Sequence, residues 1–307
     1  MPTKFPSTPS FVLHCHGAVS ELKKLQFSEE SVIAVGTVDG VLSLFDSEDF
    51  HLKEVVYESP TKSAIQSVVQ LSDDRLLIHV RGEAAIFLKR IDDKWLEKGS
   101  ILTTFPGFCG LSVLDNRILL PVTKGSANIV RLANLDERSV SLTNSEDVPL
   151  TTENVTPTCS LADSEQFYLG DDMGRVTVLS ATKKLTEIEL CKTPIFALAC
   201  SSRHLAAGSS AESPVFLMKK NNLIAASSNQ IAFNQKAGGV SSLCFSPTGS
   251  TLFGGFFDGT IRAFAVKSGQ VALVLPFHSQ SVTSLLWLDD KRLAASSMEG
   301  KISFWTV

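Results

Sequence analysis

A short frame recurs seven times along this 307-residue chain. In its clearest copies a small residue is followed four positions later by a turn glycine and nine positions later by a large apolar residue. These copies are Gly36–Gly40–Phe45, Gly170–Gly174–Leu179, Gly255–Gly259–Phe264 and Ser296–Gly300–Trp305. Weaker copies run His79–Leu88, Pro121–Val130 with Gly125 at the turn, and Gly208–Leu217. The starts at 36, 79, 121, 170, 208, 255 and 296 lie about 43 residues apart, within the ~40–45-residue period of a four-stranded blade. One such unit cannot bury its own apolar faces, so the repeats must pack on one another. Seven blades are expected.

The stretch Gly239 to Phe264 shows the unit most clearly. Val240–Phe245 alternates apolar and small polar residues, as a half-buried strand does. Ser246-Pro247-Thr248-Gly249 is a turn, because proline presets φ and glycine accepts positive φ. Thr251–Gly255 is a second strand, Asp258-Gly259 a hairpin turn, and Thr260–Phe264 a third strand.

The two ends of the chain fit each other. Ser10-Phe11-Val12-Leu13 is a strand that precedes blade one, whereas the sequence stops at Val307, after the third strand of blade seven. Pairing residues 10–14 with residues 302–306 supplies the missing fourth strand and removes a free edge. The expected fold is therefore all-β: a single seven-bladed propeller over 10–307, closed by an N-terminal strand in its last blade. Residues 1–9, broken by Pro2, Pro6 and Pro9, are expected to be disordered. Pro121 in the second strand of blade three predicts a bulge. The polar stretch 144–154 predicts a surface loop.

Composition narrows the function. The net charge is −4 without a basic stripe, so no direct nucleic-acid contact is expected. No apolar run reaches the ~20 residues of a membrane span, and no signal-peptide core is present. The six cysteines lack metal-ligand spacing and read as free thiols of a reducing compartment, which places the protein in cytoplasm and nucleus. His14-Cys15-His16 offers at most three donors with no fourth nearby, so no metal is expected. No phosphate cradle, nucleotide fingerprint or nucleophile elbow occurs. The chain reads as non-enzymatic and without a cofactor.

Four blades resemble WD repeats. Blade seven carries His278, Ser296, Glu299 and Trp305 where that family places a buried hydrogen-bond set. In blade one Phe45 stands for the tryptophan. The whole chain resembles the G-protein beta-subunit-like proteins, the group that includes the fungal ASTRA-associated subunit. Phe11-Val12-Leu13, Gly107-Phe108-Cys109, Phe277-His278-Ser279 and the ending from Leu293 to Trp305 carry that likeness. The resemblance implies a scaffold acting with the Triple-T cochaperone in maturation of phosphatidylinositol-3-kinase-related kinases, or within an ASTRA chromatin assembly. The alternatives are another WD-repeat adaptor, or a propeller hydrolase such as the methylesterase of diphthamide synthesis. No long N-terminal helix is present to hold a G-gamma subunit, and a monomer is expected. Loops entering the blades and turns between second and third strands should share one face. Phe105, Phe108, Phe256, Phe257 and Phe277 fall in those segments and are the candidate partner-binding residues.

Overall fold

A computed structural model describes residues 8–28, 30–136, 138–148, 155–223, 230–231 and 238–307. The described residues form seven four-stranded sheets, each a meander of strands paired in chain order except the last. Together they are the seven blades of an all-β propeller. In blade six the strands are Val240–Phe245, Thr251–Phe256, Thr260–Ala265 and Val271–Pro276. The first three lie within one residue of the sequence reading.

Blade seven consists of Val282–Trp287, Arg292–Ser297 and Lys301–Thr306. Its outer strand is Phe11–His14, from the N-terminus. The pairing runs Phe11↔Phe304, Val12↔Ser303, Leu13↔Ile302 and His14↔Lys301. The expected closure is present, with the register one residue closer to the turn than pairing of 10–14 with 302–306 would give. The amide and hydroxyl of Ser10 both reach the Phe304 carbonyl, at 2.7 and 3.0 Å, and the Cys15 amide donates to Gly300 O at 2.7 Å. Residues 1–7 lie outside the described residues.

Two compact units divide the chain: 1–24 with 196–307, and 25–195. In each, the apolar cores lie between successive blades. In the longer continuous unit, Ala34, Leu42 and Leu44 of blade one share a core with Ile65, Ile78 and Ile86 of blade two. In the other, Ile261 and Phe253 of blade six pack with Leu285, Leu293 and Trp305 of blade seven. The second and third strands are covered on both faces. They therefore read as nearly continuous apolar runs rather than alternating ones.

The turn glycines are required sterically. Gly259 has φ +81, and a Cβ there would lie 2.2 Å from the His278 carbonyl oxygen. The hairpin turn of blade six thus seats directly on the loop leading into blade seven.

Two sequence expectations fail. Pro121 lies in Arg117–Lys124 with an unbroken register, Pro121↔Val130, and no bulge. The first strand of that blade is only Ser112–Leu114, and its last partner on this side is Leu119. Pro121 therefore owes it no ladder bond. The polar stretch from 144 is not a loop throughout: Ser141–Val148 is the outer strand of blade three. Its polar residues face solvent, where Asp147 accepts bonds from Lys124 Nζ and Arg131 Nε, each at 2.9 Å. Residues 149–154 lie outside the described residues.

Blade two departs from the frame in an informative way. His79 occupies the position that glycine holds in blades one, four, five and six, and it is fully buried. Its Nε2 lies 3.3 Å from Thr103 Oγ1, and its Nδ1 has no partner among the described residues. Burial pushes the imidazole down to about 4. Because the folded value lies below the unfolded one of about 6.5, the unfolded chain takes up the proton first as pH falls. Stability present above pH 6.5 is then lost toward pH 4. Between pH 7 and pH 5 this group should remove about 2 kcal/mol of stability. Urea denaturation of the wild type and His79→Leu at both pH values checks it. An equal loss in the two proteins would show that His79 is not responsible.

Candidate functional site

The buried polar set of blade seven forms a chain of hydrogen bonds. Trp305 Nε1 donates to Ser303 Oγ at 2.8 Å, and Ser303 Oγ lies 2.8 Å from His278 Nε2. His278 Nδ1 lies 3.0 Å from Glu299 Oε1. The proton assignment is consistent throughout. Nδ1–H donates to the carboxylate, Nε2 accepts from the serine hydroxyl, and the hydroxyl oxygen accepts from the indole. A neutral imidazole satisfies every member. Burial accordingly holds His278 below its ordinary value, against the opposing pull of Glu299. Burial alone would raise the Glu299 carboxyl. Hydrogen bonds from Lys301, Ser279 and His278 outweigh it and hold the group at about 2.

Ser296 is not part of this set. It is fully buried and bonds Thr283 Oγ1 at 2.8 Å. The sequence frame placed the hydroxyl on the second strand, whereas the structure supplies it from the third, where Ser303 sits opposite Ala295. Period-two spacing from Trp305 was the signal that could have found it. Blades four and six hold the same region with arginine–aspartate pairs instead. Arg175 Nε meets Asp171 Oδ2 at 2.9 Å, and Arg262 Nη2 meets Asp258 Oδ2 at 2.6 Å.

The five candidate phenylalanines separate. Phe105 and Phe256 are fully buried. Phe105 packs with Cys109 and Phe167, and Phe256 with Phe264 in the core between blades five and six. The Arg262 guanidinium lies 4.5 Å from the Phe256 ring centre. Phe256 is the last residue of its strand and faces the same side as Gly254, whose missing side chain leaves room for the ring. It is a core residue, not an exposed anchor. Truncating it would hollow the core at a cost of about 3–5 kcal/mol. Phe277 is half-buried, edge-on to His278 and Trp305 at 5.1 and 5.9 Å.

Phe257 and Phe108 are exposed, at 37% and 68%. Phe257 leans edge-on against Phe196, 5.4 Å away, and across Gly239. Two exposed methionines join the picture, each at a hairpin turn: Met298 in blade seven, the unit of Phe257, and Met173 in blade four, the unit of Phe108. Arg81, Phe257 and Met298 occupy the same frame position, two residues after the start.

Other chemistry is sparse. Among the described residues, Asp46, Asp49 and His51 place donor atoms within 4.8 Å of one another. Their donors are engaged locally: Asp49 pairs with His51 at 2.5 Å, and Asp46 Oδ1 accepts the Glu48 amide at 2.7 Å. None of the six cysteines forms a disulfide. Burial pushes the Cys15 thiol up to about 11 and those of Cys159 and Cys244 to about 12, which removes thiolate reactivity. No helix among the described residues is long and apolar enough to cross a membrane.

Residues 198–303 match the family model of the anaphase-promoting complex subunit 4 WD40 domain. A WD repeat-containing protein 91 homolog of Dictyostelium discoideum is 35% identical over 69 residues, which span 22% of this chain but 9% of that protein. A chain in the crystal structure of a mitotic checkpoint complex superposes with a TM-score of 0.76 at 16% identity, covering 100% of this chain and 94% of that one. The Cps50 (Swd1) β-propeller domain of Myceliophteria thermophila superposes with a TM-score of 0.77 at 14% identity, over 97% and 99%. Sheet order, repeat frame and these superpositions agree on the fold: the chain is a seven-bladed β-propeller, and its residues 198–303 are similar to a WD40 domain.

Proposed function

We propose that this propeller is a non-catalytic scaffold for protein complexes that binds through its hairpin turns and blade-entry loops. The observation that carries the reading is the exposure of large apolar side chains where turn geometry does not need them. In one unit these are Phe257 and Met298, and in the other Phe108 and Met173. Exposed aromatic and methionine side chains on short, ordered turns are typical interface anchors. The resemblance to the G-protein beta-subunit-like proteins supports a narrower role. That role is maturation of phosphatidylinositol-3-kinase-related kinases with a Triple-T-type cochaperone, or service in an ASTRA chromatin assembly, in cytoplasm and nucleus.

The hydrolase alternative has one geometric argument. Ser303, His278 and Glu299 are aligned like a nucleophile, base and acid. Ser303 is fully buried, however, and its oxygen already accepts the Trp305 N–H. A substrate carbonyl has no approach to it. The set is read as structural.

The partner site is tested with Phe257→Ser/Met298→Ser, which leaves Phe256 in place. Phe257→Ser gives up the edge-on contact with Phe196, worth about 0.5–1.5 kcal/mol, so a thermal melt first confirms that the double variant is folded. Affinity purification with mass spectrometry should show loss of the cochaperone or kinase partners that the wild type retains. A folded double variant that keeps every partner, with Phe108→Ser/Met173→Ser doing the same, would sink the proposed surface.

A further inference from the structure

The loop entering blade three is built to hold one aromatic ring in solvent. Thr104 adopts φ 50, a left-handed backbone conformation that a β-branched residue rarely takes. The loop is pinned from several sides. The amides of Thr103 and Thr104 both donate to Glu83 O, at 2.9 and 3.1 Å, and the Gly82 amide donates to Phe105 O at 2.8 Å. Gln66 Nε2 donates to Phe108 O at 2.5 Å, and the Leu111 amide donates to Ser67 Oγ at 3.1 Å. Phe105 points inward, and Gly107 passes so close over its ring that a Cβ would lie 2.4 Å from it. The result of this bracing is an exposed Phe108. Local strain held by surrounding structure, next to an ordered exposed ring, marks a functional loop.

Beside the ring lies an unopposed charge. The Arg81 guanidinium stands 5.0 Å from the centre of Phe108. It makes no side-chain hydrogen bond or ion pair with any described residue. Glu83, two residues on, forms no ion pair with it among the described residues; its Oε1 accepts the hydroxyls of Thr61 and Ser59. A guanidinium packed over an aromatic ring keeps its N–H donors, and their fork matches a carboxylate in bidentate fashion. The braced loop also lowers the ordering entropy that binding must overcome.

We propose that Arg81 and Phe108 form a subsite for an extended acidic and apolar segment of a protein partner, with a carboxylate on Arg81 and an adjacent large apolar side chain on Phe108. This rests on the scaffold reading and adds the chemistry of the partner. The net charge of −4 and the isolation of Arg81 argue against a nucleic-acid backbone, which needs several cations in register.

The test uses the full chain and fluorescent capped peptides that alternate aspartate with leucine and phenylalanine. Comparison probes carry asparagine or phosphoserine at the aspartates, and a further probe is a single-stranded RNA oligonucleotide. The aspartate peptide should bind saturably, weaken with salt, and bind at least about tenfold more weakly to Arg81→Gln and to Phe108→Ser. Leu185→Ser, an exposed apolar change on an outer strand, should bind as the wild type does. Thermal denaturation confirms that each variant is folded. No saturable binding, equal binding of the asparagine peptide, or binding unchanged in both variants would overturn the subsite. Tighter binding of the phosphoserine peptide or of RNA would overturn its carboxylate specificity. If the peptide fails while Phe257→Ser/Met298→Ser still loses partners, the acidic subsite falls and the scaffold reading stands.

Discussion

Deleting residues 1–14 is expected to make the protein aggregate and to lower its melting temperature. The deletion removes the outer strand of blade seven and leaves Lys301 to Phe304 as an unpaired edge. Each backbone hydrogen bond lost from that ladder is worth about 1 kcal/mol net. Phe304, buried in the intact protein, also loses the tilted packing of Phe11 at 5.9 Å. An apolar, flat edge then becomes a template for pairing with another copy. Light scattering and a thermal melt of the purified variant check this. A monodisperse deletion variant with the wild-type melting temperature would show that the N-terminal strand does not hold the last blade.

Ser303→Ala should destabilise the protein by about 2–5 kcal/mol, because it leaves both Trp305 Nε1 and His278 Nε2 buried without a partner. Ser296→Ala should cost about 1 kcal/mol, since only the bond to Thr283 is lost. His278→Phe should fall between them, at about 1–3 kcal/mol, with Ser303 and Glu299 left to find other partners. Chemical denaturation of the three variants gives the order directly. If Ser296→Ala costs as much as Ser303→Ala, the hydrogen-bond chain is assigned to the wrong serine. A hydrolase reading makes a different prediction, in which Ser303→Ala abolishes ester cleavage while leaving stability intact.

The strength of the sequence signal varied with how local its cause was. Blade six was legible almost residue by residue because proline, glycine and Asp-Gly turns act within four residues. The outer strand of blade three was missed because Asn144, Ser145, Glu146 and Asp147 carry loop-like polarity. An outer strand needs to bury little, and its pairing partner is what makes it a strand. Arg81 was passed over because nothing local to its hairpin announces a role. Its neighbour Phe108 comes from the next blade's entry loop.

The sequence by itself determined the blade count, the positions of the hairpins and the surplus strand at the N-terminus. These follow from turn glycines and apolar periodicity, which are properties of the chain within about a dozen residues. Tertiary structure alone decided which of the adjacent phenylalanines Phe256 and Phe257 is core and which is surface, and that Ser303 rather than Ser296 serves Trp305. It also decided that Phe105 folds under its loop while Phe108 stands out beside Arg81. A one-residue difference along a strand exchanges its two faces. Which face is filled depends on the volume left by distant residues, such as the absent side chain at Gly254 and the approach of Gly107 to the Phe105 ring.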